Sequence, residues 1–271
     1  MKKVCFLLIL IVLSIFVFCL FNTSDEVNVI KSRGFLLVGT TGDYCPMSYF
    51  DNKTNSYVGF DIELAKDLAN TLGVKVKFVP TTWKTLMKDT NDNKFDIAIS
   101  GITITDERKQ QALMSRGYLD NGKTVLCRKT DVNKYKDIES INRPDVRVIE
   151  NPGGLNEKFA REHLPKANLI IHSVNYEIPK LIDTGKADVM ITEVIEAKYY
   201  SGINKNLSAP LTDTPFTKGQ IGMLIPKGNK KLLKFTNKFI NKEIKSGRIE
   251  ELKVKYIMLN NKQNNGSQNL R

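Results

Sequence analysis

The chain has 271 residues, of which 41% are hydrophobic and 26% are charged. This is ordinary globular usage, and it excludes wholesale disorder and a multi-span membrane protein. The length suits one two-lobed domain or two small ones. Lys and Arg number 41 against 29 Asp and Glu, a net charge of +12 that would suit an anionic partner. Because the basic residues are scattered and no DNA- or RNA-binding module is visible, we expect no nucleic-acid partner.

The first 24 residues differ in character from the rest. Lys2 and Lys3 precede a long apolar run, 4–21. Such a run is typical of a secretory signal peptide or of an uncleaved membrane anchor, and Cys19 is a candidate for lipid modification. We therefore expect a periplasmic or otherwise extracytoplasmic protein, with a membrane tether through the N-terminus left open. At the other end, the polar segment 260–271 is expected to form a tail.

The body of the chain alternates predicted strands and helices. Short apolar runs predict strands, and apolar residues at helical spacing predict helices, most clearly over 61–72 before Gly73. In chain order the predicted elements are strand 35–40, helix 61–72, strand 74–79, helix 83–88, strand 95–100, helix 105–114, strand 124–128, strand 146–149, helix 155–163, strand 168–172, helix 176–184, strand 188–192, helix 194–200, strand 220–225, helix 231–246 and helix 248–259.

This alternation predicts an α/β fold with mainly parallel sheets. Two segments look alike: 94–105 reads KFDIAISGITIT and 186–197 reads KADVMITEVIEA. Each places Ser or Thr at the end of an apolar strand, where open α/β sheets bind ligands. We expect lobe 1 to combine 33–127 with 220–259, lobe 2 to span 128–219 with the hinge crossings, and a ligand cleft to lie between them.

The cysteines and histidines do not suggest a metal site. Only Cys45 and Cys127 lie in the body of the chain, without metal-type spacing, and there are only two histidines. One disulfide and two buried free thiols are both compatible with an exported protein. We expect no metal and no cofactor.

Several strings resemble the type II periplasmic solute-binding proteins, family 3, of amino-acid uptake systems. They are GFDIELAKDLANTLG, FDIAISGITITDER and KADVMITE, and the resemblance covers about 33–259. Other strings resemble one enzymatic branch, the cyclohexadienyl dehydratases: TTGDYCPMSYFD, TTWKTLM, YLDNGKT, NPGGLNEKFAR and EVIEA. The resemblance implies a two-lobed periplasmic-binding-protein-like fold.

Two functions follow from this resemblance. The enzymatic branch converts prephenate, and often arogenate, to phenylpyruvate or phenylalanine without a cofactor, because aromatisation drives the reaction. This implies a dehydratase acting on a small anionic substrate. The alternative is an amino-acid-binding subunit of an ABC transporter, whose closure is read by a membrane permease.

The resemblance also assigns roles to individual residues. Arg108 would bind a ligand carboxylate; the alternative is that it forms a salt bridge with Asp106 or Glu107. Glu196 would be the general acid; the alternative is that it only stabilises the first turn of a helix through the helix dipole. Lys123 would neutralise a substrate carboxylate or, alternatively, be a solvated hinge lysine.

The remaining candidates are expected to form the walls of the cleft. Trp83 and Tyr44 would enclose the ring, and Asn151 with Gly154 would present helix N–H groups to an anion. The other expected substrate-binding residues are Asp43, Ser100, Gly101, Thr103, Leu155, Asn156 and Glu193. Glu193 stands where related binders carry an aspartate for the ligand amino group. Its longer side chain favours prephenate over arogenate.

Overall fold

The computed structural model describes residues 25–258, which form three β-sheets with helices packed on them. Within this range no helix is both long and apolar enough to cross a membrane. The predicted signal or anchor at 1–24 and the tail at 260–271 lie outside the described residues.

The predicted strands and helices recur in the predicted order, with further short elements between them. The strands are β1 (Phe35–Thr40), β2 (Asp43–Tyr44), β3 (Ser48–Asp51), β4 (Ser56–Val58), β5 (Lys75–Pro80), β6 (Ile97–Thr103), β7 (Leu113–Met114), β8 (Leu119–Asn121), β9 (Lys123–Arg128), β10 (Arg147–Glu150), β11 (Asn168–Ile171), β12 (Val189–Glu193), β13 (Leu207–Ser208) and β14 (Gly219–Ile225). The α-helices are α1 (Glu26–Arg33), α2 (Phe60–Leu72), α3 (Leu86–Asn91), α4 (Asp106–Gln111), α5 (Ile138–Ile141), α6 (Leu155–His163), α7 (Ile178–Asp183), α8 (Val194–Ile203), α9 (Lys230–Lys245) and α10 (Arg248–Lys253). Short 3₁₀ turns cover Lys129–Asp131 and Asn175–Glu177, and a π-helical turn, Val254–Met258, follows α10.

Two of the sheets form the two lobes. The six-stranded sheet has the order β5-β1-β6-β14-β7, with β8 paired to β14, and the five-stranded sheet has the order β11-β10-β12-β9-β13. The third, small sheet is β2-β3-β4. The two-lobed α/β fold is therefore confirmed, whereas the residue bounds expected for each lobe stay a prediction.

The sheets are mixed rather than mainly parallel. β1 is parallel to β5 and β6, and β10 is parallel to β11 and β12. β14 runs antiparallel to β6, and β9 runs antiparallel to β12. The chain changes sheet just before β9 and returns just before β14, so these two strands enter their sheets from the opposite end.

The core explains why β6 and β12 read as continuous apolar runs. In β6, Ile97 and Ile99 pack with α2, α9 and α10 on one face, while Ala98 and Ile102 pack with Leu86 on the other. In β12 the residues on both faces are likewise buried. A strand covered on both faces has no solvent side, so its sequence does not alternate.

Several predicted helices have other bounds in the structure. The helix expected over 248–259 ends at Lys253 and is followed by the π-helical turn, and the helix expected over 176–184 begins at Ile178 after the 3₁₀ turn. The helix expected over 105–114 ends at Gln111, because Leu113 and Met114 pair with β14 as strand β7. The helix expected over 83–88 begins only at Leu86, after a turn in which Thr82 and Thr85 hydrogen-bond to each other. This shift leaves Trp83 outside the helix. The sequence reading also missed α1 and the small sheet.

Both cysteines of the body are free thiols. Cys45 and Cys127 are buried, and each packs in a different part of the core beside the five-stranded sheet. Burial raises the pKa of both thiols to about 12. Of the two alternatives left open by the sequence, the structure has the buried free thiols.

Candidate functional site

The carboxyl ends of β6 and β12 meet at the carboxylate of Glu193. Thr103, the last residue of β6, donates a hydrogen bond to Glu193 Oε1 at 2.6 Å. Tyr44 of β2 donates to Oε2 at 2.5 Å. Because Glu193 is the last residue of β12, these contacts join the two lobes through one side chain.

A small cavity lies beside this carboxylate. Its volume is about 30 Å³, which holds water but not a ring compound, so a substrate enters only if the enclosing side chains or the lobes move apart. The lining residues are Tyr44, Trp83, Gly101, Thr103, Arg108, Lys123, Asn151, Gly154, Leu155, Asn156, Asn175 and Glu193. All of these except Asn175 were expected from the sequence.

Lys123 and Glu193 form a buried ion pair in the cavity wall. Lys123 Nζ donates to Glu193 Oε1 at 3.0 Å and also to Asn156 Oδ1. Burial acts to raise the pKa of Glu193, but the charge of Lys123 and the hydroxyls of Thr103 and Tyr44 outweigh it and lower the pKa. Glu193 is therefore ionised, and its carboxylate is held by three donors of the protein.

Arg108 is a second buried cation of the cavity, beside Lys123. It is 8% exposed, and its Nη1 donates to the backbone carbonyl of Thr103 at 2.7 Å. Within residues 25–258 it forms no ion pair: Glu107 pairs instead with Lys158. Burial lowers the pKa of Arg108, partly offset by Glu193 and Glu107. A guanidinium that has been taken out of water without a carboxylate partner suits an anionic ligand.

Glu196 lies behind the cavity wall rather than in it. It is fully buried, accepts a hydrogen bond from Asn175 Nδ2 at 2.9 Å and contacts the hydroxyl of Thr192. Burial raises its pKa to about 8; the two hydrogen bonds act against this rise, and the charge of Glu193 adds to it. The carboxyl is therefore protonated at neutral pH, as a proton donor must be.

Asp43 and Ser100 also stand outside the cavity and support residues that line it. Asp43 accepts a hydrogen bond from Trp83 Nε1 at 3.0 Å. Ser100 is fully buried, bonding to the hydroxyl of Ser48 at 2.7 Å and accepting from the backbone N–H of Thr41 at 3.0 Å. Both residues hold the loops and rings around the cavity, and their expected contact with substrate stays a prediction.

Gly101 has a conformation that other residues rarely adopt. Its φ is +66°, and a Cβ there would lie 2.3 Å from the ring of Tyr44. Its backbone N–H donates to the carboxylate of Asp61, which also accepts from Tyr118 at 2.8 Å. Burial raises the pKa of Asp61 to about 7. Asp61, a residue not singled out from the sequence as functional, thus fixes the backbone at the end of β6.

The turn before α6 is only partly available to an anion. Gly154 and Asn151 line the cavity, as the sequence suggested. The backbone N–H of Gly153, however, already donates to Glu157 Oε2 at 2.6 Å. Part of the expected helix N-terminal site is thus satisfied within the protein.

Asn175 is the cavity residue that sequence reasoning missed. It begins the 3₁₀ turn Asn175–Glu177, in the segment SVNYE, which matches none of the family strings. Only the fold places it against Glu196, which lies in the next helix but one.

Comparisons with known proteins agree with this architecture. The model of the bacterial extracellular solute-binding proteins, family 3, matches residues 36–259. The cyclohexadienyl dehydratase of Pseudomonas aeruginosa is 42% identical over 203 residues, 75% of each chain.

Two solved structures are also similar. An ancestral cyclohexadienyl dehydratase is 50% identical, with a TM-score of 0.55, covering 86% of this chain and 97% of its own. The ancestral amino acid-binding protein AncCDT-1, described as a precursor of cyclohexadienyl dehydratase, is 39% identical, with a TM-score of 0.79, covering 86% of this chain and 99% of its own. From the family match and these relatives, the chain belongs to family 3 of the bacterial extracellular solute-binding proteins.

Proposed function

We propose that this protein is an exported cyclohexadienyl dehydratase that converts prephenate to phenylpyruvate by decarboxylative dehydration. The observation that carries the proposal is Glu196, a fully buried carboxyl with a pKa of about 8, bonded to a residue of the cavity wall. The similarity to the dehydratase of Pseudomonas aeruginosa supports the same reaction. Arogenate, a second substrate of the branch, would yield phenylalanine.

The chemistry requires one proton and anchors for two carboxylates. Glu196 gives its proton to the ring hydroxyl, the C–O bond breaks and water leaves. The bond to the ring carboxylate also breaks, releasing CO2, and its electron pair completes the aromatic ring. Glu196 then regains a proton from solvent.

Arg108 and Lys123 would hold the substrate carboxylates. Arg108 has no carboxylate partner within the described part of the chain, and its planar fork suits bidentate contact. Lys123 has three ammonium protons, of which Asn156 and Glu193 use two. The third remains for a substrate carboxylate, while Glu193 offsets part of the positive charge.

The second candidate function is that of an amino-acid-binding subunit of an ABC transporter. Glu193 favours it, because an ionised carboxylate in a cavity suits the ammonium group of an amino acid. In that case a membrane permease would be the partner.

Under either function we propose an extracytoplasmic location with an N-terminal signal or tether. Fractionation of the host cells would test this location.

The decisive experiment is an ultraviolet assay for phenylpyruvate with the purified protein and prephenate. Glu196→Gln should retain the fold and lower turnover by about 10² to 10⁴, since an amide has no proton to give. In the parent, the rate should fall as pH rises through about 8, because only the protonated acid works.

Glu150→Gln is the matched control. Glu150 is also fully buried in the five-stranded sheet and bonds to the backbone N–H of Ile191, but it does not line the cavity. Its variant should retain turnover within a few-fold. A parent that makes no phenylpyruvate but binds an amino acid tightly would refute the enzyme and favour the transporter subunit.

A further inference from the structure

Asn175 connects the two sides of the cleft to the buried acid. It is 2% exposed and lines the cavity. Its amide nitrogen donates to the backbone carbonyl of Asp43 at 3.1 Å and to Glu196 Oε1 at 2.9 Å. Asp43 lies in the small sheet, whereas Glu196 lies in α8 beside the five-stranded sheet.

These contacts fix the orientation of the amide. The carbonyl of Asp43 can only accept, so the nitrogen of Asn175 must face it, and the second N–H then points to Glu196. The amide oxygen, Oδ1, is buried and has no hydrogen-bond partner within the described part of the chain. A buried carbonyl left without a donor costs free energy, and a ligand in the adjoining cavity can supply that donor.

We propose that Asn175 positions Glu196 and that its Oδ1 accepts the hydrogen bond of the substrate's ring hydroxyl. This inference rests on the proposed dehydratase function. A hydroxyl that donates to Oδ1 keeps its oxygen lone pairs free to accept a proton, and Glu196 is hydrogen-bonded to the same amide. The leaving oxygen then receives its proton from Glu196 and departs as water, while Asn175 neither gains nor loses a proton.

The same contacts tie the acid to the closed state of the cleft. The bond to the Asp43 carbonyl exists only while the small sheet lies against the Asn175–Glu177 turn. When the hydrogen bond to the Asp43 carbonyl breaks, the amide of Asn175 is free to rotate, and Glu196 loses a hydrogen-bond donor in a fixed position. Substrate would thus meet an oriented acid only after closure, as expected of enzymes that exclude water before reaction.

The charge environment of Glu196 gives this role a measurable signature. The titratable groups that interact with it are Asp43, Tyr44, Cys45, Glu150, Glu193 and Tyr200. The hydrogen bond from Asn175 favours the ionised carboxylate, so it lowers the pKa of Glu196 against burial. Removing the amide should therefore raise this pKa.

The test is the pH profile of kcat for Asn175→Ala, measured as phenylpyruvate formation. We expect kcat to fall by roughly 10-fold to 100-fold, the range for losing orientation of a reacting group. The alkaline limb, where kcat falls as pH rises, should move to higher pH, because Glu196 stays protonated up to a higher pH. A purely structural role would lower the melting temperature without moving this limb.

Asn156→Ala is the control variant, because Asn156 also lines the cavity but bonds to Lys123 and not to Glu196. It should change KM and leave the alkaline limb in place. If Asn175→Ala retains the parent's kcat and alkaline limb, the inference is overturned while the dehydratase stands.

If the parent is inactive with prephenate, the proposed function is refuted, and so is the contact between Asn175 Oδ1 and the ring hydroxyl of the substrate. An infrared titration of the Glu196 carboxyl band, assigned with Glu196→Gln, still decides the positioning role. An unchanged pKa in Asn175→Ala would overturn that role, and a raised pKa would support it.

Discussion

Replacing Arg108 with Ala should remove the main anion anchor of the cavity. Arg108 is 8% exposed and forms no ion pair within residues 25–258, although the charges of Glu193 and Glu107 act on it; a bound carboxylate would therefore be its direct ionic partner. Truncating one partner of such a desolvated charged pair costs about 2–5 kcal/mol. At about 1.4 kcal/mol per factor of ten, this corresponds to a roughly 30-fold to 4,000-fold weaker affinity.

Titration calorimetry with phenylpyruvate, the proposed carboxylate product, measures this loss. Arg108→Lys is the matched variant: it retains the charge but loses the planar fork, so its affinity should lie between those of the parent and the Ala variant. Because Arg108 also donates to the carbonyl of Thr103, the melting temperatures of both variants must be compared. Unchanged affinity in a folded Ala variant would refute the assignment of Arg108 as the anchor.

Two further predictions concern buried groups. The pKa of Asp61 is about 7 in the folded chain and lower when unfolded, so the folded state holds an extra proton between about pH 4 and 7. The free energy of unfolding should therefore fall as pH rises through this window, by at most about 4 kcal/mol from this residue. Denaturant titrations at several pH values should show a smaller fall in Asp61→Asn than in the parent. The same dependence on pH in both proteins would contradict the argument. Burial raises the pKa of Cys45 and Cys127 to about 12, so both thiols should resist alkylation by iodoacetamide in the folded protein and react after unfolding. A peptide in which Cys45 and Cys127 are linked by a disulfide, found by mass spectrometry, would contradict the assignment of free thiols.

Much of the fold follows from local sequence pattern. The apolar run 95–100 predicts a buried strand, which the structure has over Ile97–Thr103. The prediction of helix 155–163 agrees with the structure because its start after Gly154 and its amphipathic face are local features. Cavity residues such as Arg108 and Lys123 were likewise found from the sequence, because they lie in strings that resemble the family.

What the local pattern could not predict depends on partners far away in the chain. Leu113 and Met114 read as the end of a helix, but pairing with Leu224 and Ile225 makes them a strand. The ion pair of Lys123 with Glu193 joins residues 70 positions apart.

The same holds for the acid itself. By its place in the first turn of α8 alone, Glu196 reads as a glutamate stabilised by the helix dipole, and only packing removes it from water and raises its pKa. Asn175 carries no motif, and its role arises from contact with Glu196 and Asp43. The sequence by itself determined the order of the longer strands and helices and the cavity residues that lie in family strings, because both are local. Tertiary structure decided which groups are desolvated and which satisfy one another, because burial and hydrogen bonding depend on segments that meet only in the folded chain.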